Sequence, residues 1–127
     1  MIVLDASVLI AHFDSRDRHH SRAVELLLEA AEHPLGASVL TVAEVLVAPA
    51  RQRRLDAAEA ALRELDVREI ALGPNAAARL ALLRAETALR LPDCCALLAV
   101  QDAAAHALAT FDDRLGTEAT RRGITVC

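Results

Sequence analysis

A chain of 127 residues that is 54% hydrophobic and 25% charged specifies one globular domain and excludes a disordered or fibrous segment. Its formal charge of −4 excludes a global basic field for a polyanion. With Phe13 and Phe111 as its only aromatics, it also excludes a base-reading platform of several such rings.

All 14 basic residues are Arg, whose planar donor fork suits phosphate, although a GC-rich coding bias explains the Ala/Arg composition equally simply. Cys94, Cys95 and Cys127 are odd in number and lack CxxC spacing. They indicate neither a disulfide framework nor a zinc site, and a reducing cytoplasm is the expected home. Met1 to Asp5 runs straight into an acid without a basic start or a long apolar stretch, so no signal peptide or membrane anchor is expected there.

In chain order, Ile2-Val3-Leu4 reads as a buried strand ending at Asp5, followed by a helix from Ala6 to about Phe13. A polar break at residues 14–17 precedes an amphipathic helix with Val24, Leu27, Leu28 and Ala31 on one face, ended by Pro34 and Gly36. Residues 37–40 make a second strand, and Thr41 to Ala48 a helix stopping before Pro49. An Ala-rich helix over 52–65 leads to a third strand from Val67 to Leu72, closed by Gly73-Pro74. Ala76 to Leu89 and Pro92 to about Ala105 read as helices. A weak strand over 107–110, a helix from Arg114 to Arg122 and a strand from Ile124 to Val126 complete the chain. Regular strand–helix alternation, with no repeat and no domain boundary, predicts a single α/β domain over 1–127 around a mostly parallel sheet.

Acids fall where such a sheet gathers ligands, beyond the carboxyl ends of its strands. Asp5 follows strand one, Glu44 lies a helical turn after strand two, Asp112 comes just after strand four, and Asp93 opens a helix behind Pro92. Singly, each reads more readily as a helix-end device: Asp5, Asp112 or Asp113 as N-caps, Thr41 to Glu44 as a capping box, Asp93 as a first-turn acid. Their joint placement is what suggests a site.

The segments carrying them are Met1-Ile-Val-Leu-Asp5-Ala-Ser-Val-Leu-Ile-Ala11, Thr41-Val-Ala-Glu44-Val-Leu46, Leu91-Pro-Asp93-Cys-Cys-Ala-Leu-Leu-Ala99 and Ala109-Thr-Phe-Asp112-Asp-Arg-Leu115. In order and spacing they resemble PIN-domain proteins, most of all VapC-type toxins of bacterial toxin–antitoxin modules. The resemblance spans essentially the whole chain, departing from the common pattern at Cys94-Cys95, which reads as helix packing.

It implies a three-layer α/β/α domain with a mostly parallel sheet of four to five strands. It further implies that Asp5, Glu44, Asp93 and Asp112 form an RNA-cleaving site, with Asp5, Asp93 and Asp112 holding Mg²⁺ or Mn²⁺. A metal-activated water then hydrolyses the phosphodiester, leaving a 5′-phosphate and a 3′-hydroxyl. Asp113 stands beside Asp112 as an alternative fourth acid. The implied partners are an RNA substrate and a small VapB-type antitoxin that blocks the site, often with an Arg.

The chemistry is consistent. Mg²⁺ is a hard cation that prefers oxygen ligands and needs no His or Cys. Ser7 is close enough to Asp5 to orient a ligand or water, or to make an ordinary helix-start hydrogen bond. Arg51, Arg53 and Arg54 are the densest basic cluster and a candidate grip on phosphates, though a solvated helix start gives the same run. His19-His20 reads as polar loop rather than a ligand pair. Exposed apolar helix faces suggest a homodimer. An aspartyl phosphoryl-transfer domain is disfavoured because Ser7 replaces the second acid of Asp-x-Asp and the chain has no Lys. A catalytically silent PIN-like binding module is the remaining alternative.

Overall fold

Three residues, Ile2-Val3-Leu4, suffice for a central strand because strands pair with both edges and apolar layers cover both faces. A computed structural model describes all residues, 1–127. Strands β1 (Ile2–Leu4), β2 (Leu35–Ser38), β3 (Val67–Ile70), β4 (Ala107–Ala109) and β5 (Thr125–Val126) form one parallel sheet in the order β3-β2-β1-β4-β5. Helices α1 (Ala6–Phe13) and α2 (His20–Glu29) join β1 to β2, and α3 (Val39–Arg51) and α4 (Leu55–Glu64) join β2 to β3. The crossover from β3 to β4 holds α5 (Ala76–Glu86) and α6 (Leu91–Asp102), and α7 (Asp113–Arg121) precedes β5.

Strand side chains alternate between two cores. Ile2, Leu4, Ala107 and Ala109 join Leu9, Leu26, Val45 and Leu62 under α1 to α4. Val3 and Leu108 face the other way, toward Leu83, Leu97 and Leu115 of α5 to α7. The result is a three-layer α/β/α domain. Helix α6 is the most enclosed, with every residue from Asp93 to Val100 buried. Burial pushes the Cys94 and Cys95 thiols up, so both act as small core hydrophobes rather than nucleophiles. No helix is long and apolar enough to cross a membrane.

Several boundaries differ from those expected of the sequence. β2 begins at Leu35 and ends at Ser38, because Ser38 caps α3 by accepting from the Thr41 amide at 3.0 Å. The apolar Val39 and Leu40 therefore belong to a helix, and the supposed Thr41–Glu44 capping box does not form. Pro49 lies inside α3. Pro49 has no amide hydrogen to give the Val45 carbonyl, and the last turn closes through the amide of Gln52 on Ala48 and that of Arg54 on Pro49. The buried stripe of α2 is Ala23, Leu26, Leu27 and Ala30, while Leu28 is 71% exposed. β3 stops at Ile70, α4 starts at Leu55, α5 stops at Glu86 and α6 stops at Asp102.

Candidate active site

From β1 the chain moves outward to β2 and β3, then returns to place β4 on the other side of β1. This reversal opens a crevice beyond the carboxyl ends of the two central strands. Asp5 and Thr110 are the residues immediately following β1 and β4, and the Asp5 amide donates to the Ala109 carbonyl at 2.9 Å. Because α6 feeds β4, its first turn lies at the same edge of the sheet and brings Asp93 there. Glu44 arrives from the second turn of α3.

Asp5 is buried, and Oδ2 is its tied oxygen. It accepts from Ser7 Oγ at 2.7 Å, from Thr110 Oγ1 at 3.0 Å and from the Ser7 amide at 3.4 Å. Ser7 Oγ in turn accepts from the Phe111 amide at 3.0 Å, and Thr110 Oγ1 from the Asp112 amide at 3.0 Å. Ser7 thus makes the helix-start bond and also locks Asp5 to the loop after β4. Asp112 caps α7 through Oδ1, which accepts from the amides of Arg114 (2.8 Å) and Leu115 (3.1 Å). Asp93 accepts from the Arg90 amide through Oδ2 at 3.2 Å. In Asp5, Asp93 and Asp112, one carboxylate oxygen is fixed by backbone or hydroxyl donors and the other receives no hydrogen bond.

The acids sense one another. Burial pushes the Glu44 carboxyl up, the charges of Asp5 and Asp93 push it further, and Arg90 pulls it back. Burial likewise raises Asp93, against the lowering hydrogen bond from the Arg90 amide, and Asp5 and Asp112 add to the rise. Asp5 and Asp93 thus act on Glu44, and Asp5 and Asp112 on Asp93, across the end of the sheet. Asp113, the exposed first residue of α7, is not among the charges acting on Asp93. No three acidic, His or Cys side chains converge closely enough to hold a metal ion among themselves. The arrangement is an open ring of carboxylates rather than a closed cage.

Two clefts flank the ring. One, of about 400 Å³, is an apolar groove lined by Ile10, Phe13, Ala48, Pro49 and Ala61, with Glu44 among its polar residues. The other, of about 710 Å³, runs past Thr110, Asp112 and Asp113 toward Arg121. Arg51, Arg53 and Arg54 are exposed at the α3–α4 turn, and of the three only Arg54 lines the apolar groove. His20 anchors the start of α2, its Nδ1 lying 2.8 Å from the Ala11 carbonyl. Sequence reasoning used Thr110 only as a marker for Asp112 and held Arg90, with Arg84 and Arg114, as a lesser candidate grip on phosphates. What the sequence did not give is the place of either beside the acids: Thr110 Oγ1 donates to Asp5, and the Arg90 charge acts on Glu44 and Asp93.

A family model, the PIN domain, matches residues 2–117. The chain belongs to the PIN domain family. Solved PIN-like structures superpose along nearly all of it. VapC20 of Mycobacterium tuberculosis, a sarcin–ricin loop cleaving toxin, gives a TM-score of 0.75 at 18% identity, covering 93% of this chain and 95% of its own. A toxin–antitoxin complex from Klebsiella pneumoniae gives 0.72 at 27% identity, covering 91% and 90%. FitAcB of Neisseria gonorrhoeae gives 0.73 at 19% identity, covering 99% and 96%. Among curated protein sequences no significant match is found. The PIN crevice is thus the place at which to read the four acids.

Proposed function

We propose that this PIN-domain protein is a Mg²⁺-dependent endoribonuclease and the toxin of a toxin–antitoxin module. The observation that carries the reading is the mutual influence of the acids beyond the central strands: Asp5 and Asp93 act on Glu44, and Asp5 and Asp112 on Asp93. Three of them have one oxygen tied and one untied. Similarity to toxin structures, including the complex from Klebsiella pneumoniae at 27% identity, supports the biological role.

The donor set fits a hard divalent cation. It is all carboxylate, the charges of its neighbours raise the proton affinity of Glu44 and Asp93, and a cation relieves that repulsion. Mg²⁺ is commonly held by one or two carboxylates plus waters and substrate phosphate, which an open ring suits better than a closed cage. Asp5, Asp93 and Asp112 are the residues that would hold it, with Mn²⁺ an accepted substitute. Bound there, it would offset phosphate charge and acidify a water.

The chain's own residues do the rest. Ser7 and Thr110 hold Asp5 through Oδ2 and leave Oδ1 without a hydrogen-bond partner, free for a ligand. Glu44, retaining its proton more readily than an ordinary carboxyl, would exchange a proton with the attacking water. Arg90, which faces both Glu44 and Asp93, supplies local positive charge for an incoming phosphate. The apolar groove ending at Glu44 fits a partner segment of antitoxin type, with small apolar residues in the groove and a cation directed at the acids.

The test is cleavage of single-stranded RNA by the purified chain. Cleavage is expected with Mg²⁺ or Mn²⁺, and should vanish with EDTA and in Asp5→Asn. A variant that cuts as fast as the parent would disprove the reading.

A further inference from the structure

The cleft beyond Asp112 holds a feature that the acids do not use. The His19 imidazole lies stacked on the Phe111 ring, centroids 4.7 Å apart and planes 22° from parallel. Phe111 sits between Thr110 and Asp112, and its amide is bonded to Ser7, so the stack is fastened directly to the acidic ring. His19 is held by its own amide donating to Asp17 Oδ1 at 2.7 Å and by Arg18 Nε donating to its Nε2 at 3.1 Å. Farther along, Thr117 lines the cleft with Arg121, whose side chain is 74% exposed and only 3.9 Å-paired to Glu118. The lining is hydroxyl, imidazole and guanidinium beside the carboxylates of Asp112 and Asp113 at the acidic end, with Phe111 and Val126 its only hydrophobic members. An amphipathic helix of a protein partner needs several apolar anchors, which the groove on the other side of the ring offers and this cleft does not.

We propose that this cleft is a nucleotide subsite, in which one base of single-stranded RNA extends the His19–Phe111 stack and an adjacent phosphate meets Arg121. The proposal deepens the ribonuclease reading and rests on it for the direction of the strand. A ring stack is sequence-tolerant because every base has a π-face. The site therefore fixes the register of the strand relative to the acids more than it selects a base. The composition excluded a platform of several aromatics; one Phe and one His from opposite ends of the chain escaped that argument.

The experiment uses RNA oligonucleotides carrying a single 2-aminopurine at successive positions, with Asp5→Asn as the uncut carrier. The chain has no Trp or Tyr, so the fluorescence reports the RNA alone. Quenching is expected at one position. Adding His19→Ala should abolish it and weaken binding about ten-fold, whereas His19→Phe should preserve both. Arg121→Gln should weaken binding at every probe position alike and leave the quench in place. If the parent cuts RNA but His19→Ala changes neither quench nor KM, the subsite is overturned and the ribonuclease reading stands. If the parent cuts nothing yet the quench appears and depends on His19, the subsite stands and the hydrolytic reading falls. Protection of His19 by a protein partner, with no quench from any RNA, also overturns it.

Discussion

Asp5, Asp93 and Asp112 each serve two roles with one carboxylate, and the division is by oxygen. The tied oxygen makes the helix-end or strand-end bond, and the other receives no hydrogen bond. This is why each looked like a cap in the sequence: each is one. Glu44 is the exception, since Ser38 caps α3 and leaves Glu44 without a structural duty. Thr110 joins two of these acids, donating to Asp5 and accepting from the Asp112 amide. Thr110→Val strips a buried carboxylate of a donor and is expected to cost roughly 1–3 kcal/mol, read as a lower denaturant midpoint. RNA cleavage should fall with it, and Thr110→Ser should restore both. Loss of stability without loss of cleavage would show that Thr110 braces the fold only.

At the scale of elements, helix ends separate what was legible from what was not. Each element was read in its correct order and type because apolar periodicity is carried by many residues. Ends depend on one or two. α3, α4 and α6 are each followed by a residue in the left-handed region, Arg53, Asp66 and Ala104, where glycine is the usual choice. Only α7 has the glycine, Gly123; its end and that of α4 were placed to within a residue, whereas those of α3 and α6 were missed by about a turn. At Ala104 the turn is closed by the Ala105 amide on the Val100 carbonyl at 2.9 Å, with φ at 47°. Ala104→Gly relieves that conformation and is expected to stabilise the chain by about 0.5–1 kcal/mol, seen as a higher melting temperature. β2 was displaced for a related reason: Val39 and Leu40 look strand-like, and only the tertiary position of Ser38 as a buried cap assigns them to α3.

Across the whole molecule, the four acids were legible because short motifs recur in a fixed order, whereas the His19–Phe111 stack joins residues far apart and no local pattern announces it. The ring also sets a pH dependence. Glu44 and Asp93 are held above the ordinary carboxylate range near pH 4. Folded chains therefore keep these protons longer than unfolded ones, and the associated stability is present at acid pH and lost as pH rises through the raised values. His12, pushed down by burial and by His20, acts in the opposite sense, so the informative quantity is a difference between variants. Metal-free Glu44→Gln is expected to melt higher than the parent at pH 7, with the gap closing toward pH 4. Mg²⁺ should raise the parent's melting temperature more than the variant's. A variant that melts lower at pH 7 would contradict the repulsion argument. The bond from Thr110 to Asp5 spans 105 residues, and β4 is the inner neighbour of β1. During synthesis, then, nearly all of the chain must leave the ribosome before the first acid gains its brace. A truncated product lacking β4 would leave Asp5 without that brace.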